Sequence, residues 1–255
     1  MTIDPATIRL HRTGRGGPLL LLHGIGLDRH VWDGVATLAD RFTLITCDLP
    51  GHGKTPAPAG TYEIDELSEA LATALRRDGI GQAHIVGHDL GGMVAQHLAA
   101  NEPGLVNKLV LCATAPTFNQ DDKASWRQHA ATIRLAGPGV LARILEPAWF
   151  TAGFLSRTPP ALTAMHASCA ACPTEGLVLA CEALATADLI DLAGEIYAPT
   201  LVVTGEFDSL AYREAGDWLA QSIAGGKLAI APQAAHAIPM EQPHWLADVL
   251  VRFLG

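Results

Sequence analysis

Gly87-His88-Asp89-Leu90-Gly91-Gly92 ends a short apolar run and opens a helical pattern. A strand that turns sharply into a helix strains the backbone of its central residue, and glycines two positions before and after it prevent clashes. Such a turn lifts the Asp89 side chain above the strand ends, at the positive end of the next helix. Two more residues sit where strands end: Asp208 in Gly205-Glu206-Phe207-Asp208, and His236 in Ala235-His236-Ala237, just before the final helical pattern. A carboxylate on a tight bend, an imidazole to act as base and a second carboxylate to orient that ring make a nucleophile–acid–histidine set. Taken singly, each has a blander reading: a tight turn, a turn former and a satisfied core histidine. In the order Asp89, Asp208, His236 they read together as catalytic. His23-Gly24-Ile25-Gly26 follows an earlier apolar run, and its Ile25 N–H, with the Leu90 N–H, is expected to form an oxyanion hole.

The elements that must position these residues are legible as an alternation. Short apolar runs at Leu19–Leu22, Phe42–Cys47, His84–Val86, Lys108–Cys112, Thr200–Thr204 and Lys227–Ile230, bounded by Gly or Pro, suit buried parallel strands. Ile64, Leu67, Leu71 and Leu75 recur at helical spacing within Glu63–Arg77. Gly91–Asn101, Glu214–Ser222 and Pro243–Phe253 are the other core helices expected, the last with proline in its first turn. Strand–helix alternation implies a mostly parallel central sheet flanked by helices. From about Thr117 to Leu192 no strand is legible. That stretch reads as helices broken at Gly137-Pro138-Gly139, Pro147, Pro159-Pro160 and Pro173. The expected organisation is a core of residues 1–116 and 193–255 with a helical cap insertion at 117–192, above the carboxyl ends of the strands.

Bulk properties limit the function classes. With 255 residues, 49% of them hydrophobic and 17% charged, the chain can bury one large core. A net charge of −9 disfavours nucleic acid or an anionic membrane as partner. Met1–Gly17 has no apolar stretch of the signal-peptide kind, and no apolar run approaches a membrane span. A reduced, cytoplasmic protein acting on a small molecule is expected, with its oligomeric state open. The five cysteines are an odd number, and Cys169-x-x-Cys172, even with His166, lacks the spacing of a zinc site. They read as buried thiols. No metal site is expected, and no cofactor either, because no Gly-rich phosphate loop follows a strand.

These motifs resemble the α/β-hydrolase superfamily over the whole chain. Leu-Leu-His-Gly at 21–24, Asp-Leu-Pro-Gly-His-Gly at 48–53 and Val-Gly-His-Asp-Leu-Gly-Gly-Met-Val-Ala-Gln at 86–96 are similar to 3-oxoadipate enol-lactonases and related small esterases. Trp149-Phe150-Thr151 and Pro173-Thr174-Glu175-Gly176 look like the same subgroup. The resemblance implies an α/β-hydrolase fold and a hydrolase. It departs at position 89, where those enzymes carry serine, whereas dehalogenases and epoxide hydrolases carry aspartate.

The exchange matters chemically. A carboxylate attacking an acyl carbon gives an anhydride that collapses back. Attack on a saturated carbon expels halide or opens an epoxide and leaves an alkyl ester on the enzyme. The expected cap contains none of the tyrosines that similar epoxide hydrolases use, since Tyr62, Tyr197 and Tyr212 lie outside it. Leu90 stands where haloalkane dehalogenases place tryptophan, and the arginines of fluoroacetate dehalogenases are missing after it. Trp126 and Trp149 are candidates to touch substrate or to pack. Arg134, within Ile133-Arg134-Leu135, is a candidate to bind a substrate carboxylate or an exposed helix charge. Three readings stay open: a hydrolase with Asp89 as covalent nucleophile, a lactonase-like enzyme with Asp89 as general acid or base, and a ligand-binding homologue without activity.

Overall fold

The computed structural model describes residues 2–255. Seven strands form one sheet: β1 (His11–Gly14), β2 (Gly17–Leu22), β3 (Phe42–Thr46), β4 (Ala83–His88), β5 (Val106–Cys112), β6 (Thr200–Gly205) and β7 (Lys227–Ala231). Their order across the sheet is β1-β3-β2-β4-β5-β6-β7, and only the β1–β3 pair is antiparallel. The six apolar runs are β2 to β7. β1 was not legible because all four of its residues are exposed.

Both faces of the sheet are covered in its middle, whereas the edge strand β7, expected to be buried, is mostly exposed like β1. Along β2, Leu20 and Leu22 enter one core layer and Leu19 and Leu21 the other, all four fully buried. Each such leucine contributes about 2 kcal/mol through burial. One layer holds Leu67, Leu71 and Leu75 of α1 (Ile64–Arg77) and Leu98 of α2 (Leu90–Asn101). The other holds Trp32, Val35 and Leu38 from a 3-10 segment, Arg29–Asp40. The segment is two short helices joined at Val35, whose backbone, with φ of −107° and ψ of 19°, is not helical.

Between β5 and β6 the chain forms α3 (Gln120–Ala136), α4 (Val140–Trp149), α5 (Ala152–Leu155), α6 (Pro160–Ala171) and α7 (Thr174–Thr186). An isolated bridge between Thr117 and Asp188 joins the two ends of this excursion. Gly137, with φ of 82°, stops α3. Pro147 does not break the helix as expected but lies inside α4, which ends two residues later at Trp149. At the start of α7, Gly176 meets Gly51 backbone to backbone: a Cβ on Gly176 would lie 2.4 Å from the Gly51 carbonyl oxygen. The last three helices, α8 (Leu210–Ser222), α9 (Ile238–Glu241) and α10 (Pro243–Leu254), complete the chain. Among the described residues, no single helix is long and apolar enough to cross a membrane.

Candidate active site

Asp89 is the residue between β4 and α2, with φ of 51° and ψ of −116°, a conformation that side chains rarely adopt. The glycines around it are required by contact. A Cβ on Gly87 would lie 2.3 Å from the Gly91 carbonyl oxygen, and one on Gly91 would lie 2.6 Å from that of His23. The bend is fastened by the Asp89 N–H, which donates to the Cys112 carbonyl at 3.1 Å, and by the Thr114 hydroxyl, which donates to the Asp89 carbonyl at 2.7 Å.

The two carboxylate oxygens of Asp89 have different surroundings. Oδ2 accepts the Ile25 N–H at 2.9 Å. The Leu90 N–H, the other expected donor, makes no hydrogen bond to the carboxylate among the described residues. Oδ1 lies 3.7 Å from His236 Nε2, beyond hydrogen-bond reach, and accepts a long hydrogen bond of 3.3 Å from the Tyr212 hydroxyl.

His236 follows β7, and its Nδ1–H donates to Asp208 Oδ2 at 3.0 Å. Asp208 Oδ1 in turn accepts the Ser209 N–H at 2.7 Å, so the carboxylate is held where α8 begins. Asp89, Asp208 and His236 are all buried. Burial alone would lower the pKa of His236, but Asp208 and then Asp89 outweigh it and raise it to about 10. His236 is therefore an imidazolium at neutral pH, flanked by two carboxylates. Burial pushes Asp89 upward, yet the adjacent His236 wins and holds it below the usual carboxylate range.

The loop carrying His236 is clamped from several sides. His88 Nε2–H donates to the His236 carbonyl at 3.0 Å, and burial with the nearby imidazolium pushes the His88 pKa down to about 4, so its ring is neutral. The Ala237 N–H donates to the Trp149 carbonyl at 2.9 Å. Glu241 accepts the Ala235 N–H on one oxygen, and the Thr151 N–H and hydroxyl on the other, at 2.6, 3.0 and 2.8 Å. One carboxylate thus ties the end of α4 to the histidine loop.

A cavity of about 360 Å³ opens onto this group and is lined by Trp126, Trp149, Asp208, Tyr212 and His236 among others. Both tryptophans singled out from the sequence are on its wall, and Trp149 stacks obliquely on His236 with ring centroids 5.0 Å apart. Asp89 lies one contact behind the wall, reached through His236 and Tyr212.

Arg134 takes the second of the two readings open for it, an exposed helix charge. It points away from the cavity and pairs with Glu182 at 3.0 Å. Its apolar neighbour Leu135 is 90% exposed, so only Ile133 of that triplet faces inward. Tyr212 is the site residue that sequence reasoning passed over. It was set aside because it lies outside 117–192, but α8 starts at the carboxyl end of β6 and its first turn faces the site. The phenol ring sits 4.3 Å from that of His236. Burial and the adjacent Asp89 and Asp208 raise its pKa well above the ordinary value, which keeps it a neutral proton donor.

All five cysteines are free and buried. Among the described residues, no group of three or more His, Cys, Asp or Glu is placed to hold a metal ion.

Comparison with known proteins agrees with this architecture. A family model described as alpha/beta hydrolase fold matches residues 17–149. The chain is 29% identical to 3-oxoadipate enol-lactonase 2 of Acinetobacter baylyi, over 92% of this chain and 89% of that one. It is 35% identical to the pimeloyl-[acyl-carrier protein] methyl ester esterase of Chromobacterium violaceum, over 88% and 89% respectively. The crystal structure of the enol-lactonase from Burkholderia xenovorans LB400 superposes with a TM-score of 0.92 at 29% identity, covering 97% of this chain and 96% of that one.

Proposed function

The chain belongs to the α/β-hydrolase fold family and is a hydrolase, and from that premise we propose that Asp89 is its covalent nucleophile, in a triad with His236 and Asp208. The proposed substrate is a small molecule whose saturated carbon carries an oxygen leaving group, as in an epoxide. The observation that carries this reading is the split of the Asp89 carboxylate. Oδ2 is held by the Ile25 N–H, whereas Oδ1 faces His236 and Tyr212.

In the first step the substrate displaces the Tyr212 hydroxyl from Oδ1, which attacks the carbon while the C–O bond breaks. The departing oxygen takes the Tyr212 proton, and His236 passes its own proton to Tyr212. Alkylation removes the charge of Asp89, so the imidazole that has just given up a proton no longer has two anions holding one on it. Neutral His236 then takes a proton from water. The hydroxide adds to the Asp89 carbonyl carbon, and negative charge develops on Oδ2 against the Ile25 N–H. Collapse releases the alcohol and restores the carboxylate, the imidazolium and the phenol. The proton that His236 holds at rest is the one that an oxygen leaving group consumes. A halide would leave it unspent, and the base would stay protonated.

Residues 117–192 serve as the cap over this site in the proposed reading, with Trp126 and Trp149 on the substrate wall. The test is a single turnover in heavy-oxygen water followed by mass analysis of the peptide that holds Asp89. Label in the Asp89 carboxylate is expected. Turnover without label there overturns the covalent step and favours Asp89 as a general acid or base.

A further inference from the structure

From the charge on the cavity wall we infer that the substrate is positively charged at the end remote from its reacting carbon, carrying an ammonium group on an apolar body, and that carboxylate substrates are excluded. The inference deepens the proposed reaction and rests on its placing substrate in this cavity.

Among the described residues, no lysine or arginine lines the cavity. Three carboxylates do, Asp122, Asp208 and Glu214, against one imidazolium, that of His236. Asp208 is engaged by His236, but neither Asp122 in the first turn of α3 nor Glu214 on α8 is ion-paired among the described residues. His129, also on the wall, is held below its ordinary value by burial and adds no positive charge at neutral pH. Arg134, which would have served a substrate carboxylate, is committed to Glu182 on the outside.

The rest of the wall suits the same ligand. Phe118 meets Trp126 and Tyr212 at ring-centroid distances of 6.0 and 5.9 Å, so aromatic surface lies beside the free carboxylates. Aromatic faces and carboxylates both attract an organic cation, and both leave a carboxylate unsatisfied. At the inner end the His236 ring lines the cavity, and its buried Nε2, without a hydrogen-bond partner among the described residues, lies 3.7 Å from Asp89 Oδ1, which marks where the reacting end belongs.

This assignment is tested with three unreactive probes that share a benzyl group: benzyltrimethylammonium, its neutral isostere neopentylbenzene, and phenylacetate. Binding is followed by tryptophan fluorescence and calorimetry on the intact protein. Benzyltrimethylammonium is expected to bind about tenfold more tightly than neopentylbenzene, with phenylacetate weakest, and the advantage is expected to shrink as salt is raised. In the double variant Asp122→Asn, Glu214→Gln the cation-to-neutral affinity ratio is expected to fall about tenfold, the size of two partly exposed charge contacts. Phenylacetate binding as tightly as the cation overturns the inference, as does a ratio that neither salt nor the double variant changes. The probes carry no group that Asp89 could attack, so this result is independent of the labelling experiment. Charge selection without label in Asp89 would remove the covalent step and leave the substrate class standing.

Discussion

The Tyr212 hydroxyl lies 3.3 Å from Asp89 Oδ1 and brings a neutral donor from α8 to the oxygen proposed to react. Tyr212→Phe is therefore expected to slow opening of an epoxide about 10²-fold, the usual worth of a positioned acid. Alkylation of Asp89 by an alkyl halide with the same carbon skeleton needs no proton and should lose little, although the ester it leaves is not hydrolysed. Single-turnover rates of the alkylation step on the matched pair decide the matter. Equal losses on both would show that the ring only packs.

His236→Gln removes the base of the second step. The first step should still leave an alkyl ester on Asp89, which then persists. Intact-protein mass is expected to rise by the mass of one substrate, while kcat falls about 10³-fold. Mass analysis after a short incubation checks this, and an unmodified protein that has consumed substrate would contradict it.

The charge of His236 also links stability to pH. Its folded pKa of about 10 exceeds the ordinary 6.5, so the fold binds this proton more tightly than the unfolded chain does. The stabilisation is complete below 6.5 and drains away as pH rises towards 10. Urea midpoints across that interval should fall in the native protein. They should fall less in Asp208→Asn, where the largest contributor holding the proton is gone.

Glu241 holds three donors from two segments. Glu241→Ala strands them, at a cost of about 2–4 kcal/mol in stability. It also frees the loop of His236, so kcat should drop more than KM changes. Denaturant unfolding and steady-state kinetics on one preparation measure both. Stability lost with kcat intact would make Glu241 a fold-holding residue alone.

The legibility of this site in the sequence follows how local each signal is. The elbow could be read because contacts of Gly87 and Gly91 with neighbouring backbone dictate their identity. Asp208 and His236 could be read because both follow apolar strands. β1 and the Arg29–Asp40 segment were not read, the first being exposed throughout and the second broken at Val35, where the backbone is not helical. Arg134 stayed undecided between wall and surface because Leu135 beside it faces solvent, so the apolar triplet did not mark a buried stripe. Tyr212 was within reach of sequence reasoning. It is the third residue of a helix that starts just after Asp208, and the first turn of such a helix overlooks the strand ends.

The backbone approach of Gly51 and Gly176 limits what either position can hold. A Cβ on Gly51 would lie 2.7 Å from the Gly176 Cα, and Gly51 has φ of 79°, so even alanine there is both crowded and strained. The smallest side chain at either glycine would pry the loop after β3 away from the first turn of α7, and a wall of the candidate cap would lose its seat on the core.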